Sequence, residues 1–309
     1  MKNRIIRASI LIFTTIFTLW ITEFILVNTM KNCREETIGK INAVASHNLD
    51  VELTIWGAST AHVNFNPNII IDSLKISSMN MGIDGTNIDQ YSGLLNEYID
   101  YTTKSDYLII ALDIHGGLTN RKSFYHLHNW LHHIDNKNIY DCLSNIDNEM
   151  MIKLKYVPFY SLILYDKHSF PYFRRTLLNK KSESQISNYG FKPNGVASIN
   201  ATTDYSPFET SIDNRSFEKV RKAVIHANKK DIKCFIVITP CYEKGLYQIT
   251  NRNDFVSKLK TLETEKTKVL DFSDSYISKV PTYFKDNTHL NSNGADELTR
   301  LLIKKIKSN

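Results

Sequence analysis

Val51-Glu52-Leu53-Thr54-Ile55-Trp56-Gly57-Ala58-Ser59-Thr60 is a largely apolar run that stops at a glycine, with a serine just beyond it. Such a run, short and closed by glycine, predicts a parallel strand handing over to a helix. Similar runs at 76–81, 107–112, 233–239 and 268–272 predict four more strands. Four of the five carry few internal charges, as expected when both faces of a parallel sheet are covered. Helical spacing of apolar residues appears at 89–101, 217–228, 254–264 and 292–307, the last with Ala295, Leu298, Leu301, Leu302 and Ile306 on one face. Strands alternating with helices imply right-handed crossovers. The predicted class is therefore α/β, a three-layer α/β/α sandwich around a central parallel five-stranded sheet.

Ligands of such sheets bind beyond the carboxyl ends of the strands, where the strand order reverses. Four features fall there: Ser59 after the first strand, Gly82 after the second, His115 after the third, and Asp286-Asn287-Thr288-His289-Leu290-Asn291 after the fifth. The last stretch sets a carboxylate three residues before a histidine on one turn. An imidazole that takes a proton from a hydroxyl needs its other nitrogen held in the right tautomer, and an aspartate on the same turn can hold it. Ser59 is the matching nucleophile candidate. Singly, each feature has a plainer explanation: a serine after a strand caps a helix, and Asp286 and Asn287 form turns. Their order and placement relative to the strands point to chemistry.

These segments resemble the motifs of the SGNH (GDSL-like) serine hydrolases and acyltransferases, a flavodoxin-like family. Its first motif is a glycine and serine after strand one, and its last is Asp-x-x-His. The family's second motif, a glycine after strand two, is matched by Gly82 in Met79-Asn80-Met81-Gly82-Ile83-Asp84-Gly85. At the third motif, where family members carry Gly-x-Asn-Asp, this chain has Ala111-Leu112-Asp113-Ile114-His115-Gly116-Gly117, without the asparagine donor. The resemblance covers 51–120 and 230–305. It implies Ser59, His289 and Asp286 as nucleophile, base and orienter, and an oxyanion held by the amides of Ser59 and Gly82, with Asn87 or His115 as a third donor. It implies a metal-free mechanism with no cofactor. Gly57-Ala58-Ser59-Thr60-Ala61 also approaches the Gly-x-Ser-x-Gly elbow of α/β-hydrolases. That fold places its serine deeper in the sheet and separates acid from histidine, so the SGNH pattern fits better.

Residues 8–27 form an apolar stretch that as a helix spans about 30 Å, the hydrocarbon thickness of a bilayer. Lys2, Arg4 and Arg7 precede it, which favours a cytoplasmic N-terminus and a body on the extracytoplasmic side. No small-residue cleavage site follows, so 1–30 reads as an uncleaved signal anchor, 31–48 as a stalk, and 49–309 as the catalytic domain. Glu23 is the one residue out of keeping with a span. The net charge of +6 is concentrated partly around this anchor, which argues against nucleic-acid binding. Cys33, Cys142, Cys234 and Cys241 show no metal or disulfide spacing, although Cys234 and Cys241 could pair outside the cytoplasm.

Residues 116–214 are too long for a bare loop and predict a helical insertion or lid. Its segment Phe124-Tyr125-His126-Leu127-His128-Asn129-Trp130-Leu131-His132-His133 sets His128 and His132 four apart, a metal-like spacing, yet no carboxylate completes a ligand set. Packing, or lining a glycan or membrane-proximal groove, is expected of these rings. Anchored members of the resembling family imply an acylated glycan or other ester as substrate, and an integral membrane acyltransferase as partner. The alternative from a different class is a non-catalytic glycan-binding or scaffolding protein that keeps the fold with a degenerate oxyanion hole.

Overall fold

A computed structural model describes residues 2–179, 188–197 and 206–308. The chain opens with α1 (Lys2–Lys31) and α2 (Glu36–Ala45). It continues through β1 (Leu53–Gly57), α3 (Ser59–Asn64), α4 (Pro67–Leu74), β2 (Ser78–Asn80), α5 (Ile88–Tyr101) and β3 (Tyr107–Leu112). After these come α6 (Lys137–Ser144), α7 (Asn148–Tyr156) and α8 (Ser169–Leu177). The last part is α9 (Asn214–Lys229), β4 (Lys233–Ile238), α10 (Glu243–Leu246), α11 (Arg252–Lys260), β5 (Thr267–Asp271) and α12 (Ser292–Lys307). The five strands form one all-parallel sheet in the order β2-β1-β3-β4-β5. Ile55 pairs with Asn80 on one side and Ile109 on the other, and Ile109 pairs in turn with Phe235.

Side chains alternate across this sheet, as the two-residue period of a strand requires. Leu108, Ile110, Ile236 and Ile238 face α5 and α9, packing with Leu94, Leu95, Val220 and Val224. Leu53, Ile55, Ile109, Phe235 and Val237 face the opposite layer, where Leu298, Leu302 and Ile306 of α12 meet Phe65 and Ile70. All of these are buried. The chain leaves β1 toward β2 on one side and returns to β3 on the other, so the order reverses between β1 and β3, and the crevice opens above their carboxyl ends.

The segment expected to be a stalk is part of the body. In α2, Ile38, Ile41 and Val44 are fully buried, Ile41 and Val44 in the same core cluster as α5. At roughly 1.5–3 kcal/mol for each buried aliphatic side chain, removing α2 would forfeit much of the few kcal/mol by which a domain is stable. A domain boundary at 48/49 therefore cuts through the core. The corner between α1 and α2 is locked by Asn42, whose amide donates to the carbonyls of Met30 and Cys33 at 2.7 Å each. Its side-chain oxygen accepts from Nε2 of His132 at 2.8 Å and of His133 at 2.7 Å.

Within the expected insertion, 180–187 and 198–205 lie outside the described residues. α6 lies against α5 so closely that a Cβ on Gly93 would stand 2.4 Å from the Asn138 carbonyl oxygen. Ile139, Leu143, Met151 and Leu154 join the core on that face, so α6 and α7 extend the outer helical layer. The histidine-rich stretch forms two short turns, Leu127–Asn129 and Leu131–His133, and not one helix. His128 faces Asp166 at 3.5 Å, while His132 and His133 face Asn42. The four cysteines are buried and free, so Cys234 and Cys241 do not pair. From residue 3 to 31, α1 is long and apolar enough to cross a membrane, and its apolar window is unburied by the rest of the chain.

Candidate active site

The approach of β1 to its neighbours dictates the glycine before the serine. A Cβ on Gly57 would lie 2.5 Å from the Ala111 carbonyl oxygen and 2.7 Å from the Ala61 Cβ. Ala58, not Ser59, occupies the N-cap of α3, so the serine does not cap the helix. As the first helical residue it presents an amide with no intrahelical acceptor. Two buried asparagines hold α3. Asn80, the last residue of β2, donates to the carbonyls of Ala61 at 2.8 Å and Phe65 at 2.9 Å. Asn64, on α3 itself, accepts from the Leu290 amide at 2.8 Å and donates to the Thr288 carbonyl at 3.2 Å. The helix bearing the serine is thus tied directly to the turn bearing the histidine.

That turn is closed by an antiparallel bridge between Phe284 and Leu290 and ends at Asn291, whose side chain caps α12 by accepting from the Gly294 amide at 3.0 Å. Inside it, Asp286 Oδ1 accepts from the amides of Thr288 at 2.9 Å and His289 at 2.8 Å. The His289 ring lies with Nδ1 2.8 Å from Asp286 Oδ2 and Nε2 2.8 Å from Ser59 Oγ. With a carboxylate at Nδ1, that nitrogen carries the proton, and Nε2 is free to accept from the serine hydroxyl. The structure therefore brings Ser59, His289 and Asp286 into one hydrogen-bonded chain across 230 residues of sequence.

Electrostatics keep the chain poised. Burial alone pushes the Asp286 carboxyl up, but hydrogen bonds from the His289 ring and the Thr288 amide bring it down to about 2. Burial pulls the His289 imidazole down, and the Asp286 hydrogen bond and charge, with the charges of Asp113 and Asp84, more than offset it. The net direction is upward.

The residues expected to stabilise an oxyanion are placed less simply. Gly82 is required by packing, since a Cβ there would come 2.3 Å from the His62 amide nitrogen. Its own amide, however, donates to Asn80 Oδ1 at 2.9 Å, which corrects the expectation of an open donor. Asn87 is the N-cap of α5: its oxygen accepts from the Asp89 amide at 3.1 Å and its nitrogen donates to the Thr119 carbonyl at 2.6 Å. Both ends of that side chain are engaged, so it is a structural cap. His115 packs tilted against Phe208, its buried Nε2 has no partner among the described residues, and that nitrogen would lie 3.2 Å from a Cβ on Gly245, beside Asn287. Burial pushes its imidazole down. Asp113 turns into its own loop, accepting from the Gly116 amide.

Sequence reasoning missed a second polar cluster beside the serine helix. Lys40 of α2 is fully buried and donates to the Gly82 carbonyl at 2.7 Å. Asp84 accepts from His62 Nδ1 at 2.8 Å and from Lys192 at 3.4 Å, and the Lys192 amide donates to the His62 carbonyl. Burial raises the Asp84 carboxyl, but His62 and then Lys192 bring it to about 2. Burial, and after it the Lys40 charge, push the His62 imidazole down. Only Asp84 had a signal, its place two residues after Gly82; the buried lysine had none.

Residues 161–309, which hold Asp286 and His289 but not Ser59, match a protein-family model. No curated protein matches. A solved structure from Streptococcus pneumonia, provisionally named as a platelet activating factor, is 12% identical, with 94% of this chain and 98% of that one covered and a TM-score of 0.45. A likeness that distant says nothing of what this chain does.

Proposed function

We propose that this chain is an SGNH-type serine esterase or O-acyltransferase, anchored by α1 and acting on acyl esters of extracytoplasmic or cell-envelope polysaccharide. The observation that carries the reading is the Ser59 Oγ to His289 Nε2 contact of 2.8 Å, backed by Asp286 at 2.8 Å on the other ring nitrogen. Ser59 Oγ attacks the acyl carbonyl carbon as its proton passes to His289 Nε2, and Asp286 stabilises the imidazolium. Collapse of the tetrahedral adduct breaks the ester bond, and His289 returns the proton to the departing alkoxide. Water then releases the acyl group in an esterase, or a sugar hydroxyl accepts it in a transferase, with His289 as base for the second half. The developing oxyanion meets the Ser59 amide at the start of α3, and His115 Nε2 is the remaining unpartnered donor candidate.

The polysaccharide substrate, a neighbouring integral membrane acyltransferase and the extracytoplasmic placement of the body follow the family resemblance and the basic residues before α1. One observation favours the alternative of a non-catalytic glycan-binding or scaffolding protein: the Gly82 amide and both ends of Asn87 already have protein partners. A fluorophosphonate probe separates the two. The purified full-length protein should be labelled on Ser59, and labelling should vanish in Ser59→Ala. A folded wild-type protein that takes no label would leave the binding reading standing.

A further inference from the structure

The base of α1 is built into the body at a depth that a membrane anchor would place inside the bilayer. If 8–27 spans the hydrocarbon, Glu23 lies four residues, about 6 Å, below its outer edge. Ser161, in the turn Tyr160–Ile163, donates to the Glu23 carboxylate. Tyr165, Tyr172 and Phe173 pack with Leu26 around Met30, Cys33 and Ile38. Arg175 of α8 forks onto the buried Glu35 just after α1, with Nε 2.8 Å from Oε1. With the Asn42 lock, these contacts fix residues 160–175 to the last two turns of α1. Whatever level α1 takes in the bilayer, this segment takes with it.

The outward side of this segment is apolar and basic. Tyr156, Val157, Ile163, Phe170, Leu177 and Leu178 are between 48% and 71% exposed. Among the described residues, of thirteen exposed large apolar side chains outside α1, seven fall within residues 152–178. On α8, Phe170, Arg174 and Leu177 follow helical spacing on one exposed face. The same residues 152–178 hold five lysines and arginines against one acid, Asp166. Apolar and aromatic side chains set among cations suit the boundary between acyl chains and anionic headgroups.

We propose that residues 156–178 form a membrane-interfacial foot, dipping Ile163 and Phe170 to the acyl boundary and seating the body on the lipid surface. Its occupant is the bilayer itself, an anionic headgroup layer with the acyl chains beneath. The proposal rests on α1 being an anchor, and does not depend on the chemistry at Ser59.

Spin labels test it in the full-length protein, reconstituted in nanodiscs of phosphatidylcholine and phosphatidylglycerol. The four native cysteines are buried, so single labels at Ile163→Cys, Phe170→Cys, Phe13→Cys in the span and Ile225→Cys on α9 report separately. Collision with oxygen against a water-soluble nickel chelate reads depth. Labels at 13, 163 and 170 should favour oxygen several-fold over the label at 225. If 13 favours oxygen while 163 and 170 behave like 225, the foot is overturned and the anchor stands. If 13 favours nickel, anchor and foot fall together. Labels at 163 and 170 shielded from both reagents would mean that protein covers them, and would also overturn the foot.

Discussion

The two walls of the crevice differ in how they use their polar atoms. On the wall made by α3 and the 286–289 turn, Ser59, His289 and Asp286 bond one another, and the scaffold behind them is satisfied by Asn64, Asn291 and backbone amides. On the wall after β2 and β3, the groups that could meet an oxyanion hold the fold together: the Gly82 amide binds Asn80, Asn87 caps α5, and Asp113 closes its own loop. On the proposed reading, proton transfer would thus be preorganised, while charge stabilisation would fall to the Ser59 amide and His115. A serine can be activated without being efficiently served, because the two tasks rest on different elements.

The largest effect should come from breaking the first wall. Ser59→Ala and His289→Ala should each lower turnover of a short-chain acyl ester by roughly a thousandfold or more, with Asp286→Asn roughly tenfold to a hundredfold milder. Thermal unfolding should change little, since both side chains are only partly buried. The pH profile sharpens the point. His289 must be neutral to accept the proton, and its imidazole is held above its ordinary 6.5, so activity should fall as pH drops through that raised value. Asp286 stays ionised down to about 2 and should not shape that limb. An acid limb well below 6.5 would mean that Asp286 does not charge-pair with the ring.

A smaller effect belongs to Asn80, which joins the walls. Asn80→Ala leaves the Gly82 amide and the carbonyls of Ala61 and Phe65 without their partner, at about 2–4 kcal/mol of stability. Turnover should fall with it as α3 loosens, and urea unfolding alongside steady-state kinetics reads both. The opposite result, higher turnover per folded molecule, would show that the freed Gly82 amide was the donor the reaction lacked.

The sheet could be read from sequence because both faces of β1 to β4 are largely buried, which writes the strands as short apolar runs; Tyr107–Leu112 matches its expected bounds and the others shift by a residue or two. Ser59, His289 and Asp286 were visible because each sits at a strand end in a local pattern. The donor wall was not, since what decides it is the far partner of each amide: nothing near Gly82 or Asn87 announces Asn80 Oδ1 or the Thr119 carbonyl. The same cause misplaced 31–48. Lys40 and Asn42 make that stretch look solvated, yet both are buried with tertiary partners.

Lys40 offers a test of comparable or smaller size. Burial lowers its ammonium from the ordinary 10.5 to about 7. Between those values the unfolded chain holds a proton that the folded chain has released, so stability should rise with pH across that window. The rise should be on the order of a few kcal/mol. In Lys40→Met it should be absent, as read by urea unfolding of the detergent-solubilised protein at a series of pH values. An identical slope in the variant would mean that Lys40 keeps its charge when folded, and that the Gly82 carbonyl is held by an ion.

The smallest effect separates a cap from a catalytic donor. Asn87 was an oxyanion candidate by position, but its oxygen faces the Asp89 amide at the start of α5 and its nitrogen faces Thr119. Losing an N-cap typically costs about 1 kcal/mol, and losing an oxyanion donor costs about a hundredfold or more in rate. Asn87→Ala should therefore lower the unfolding free energy by about 1 kcal/mol while leaving turnover within roughly twofold. Asn87→Ser, which keeps a capping oxygen but no amide donor, should recover most of that stability. A large loss of turnover shared by both variants, with stability restored in the second, would move Asn87 from the scaffold into the site and give the second wall a working donor.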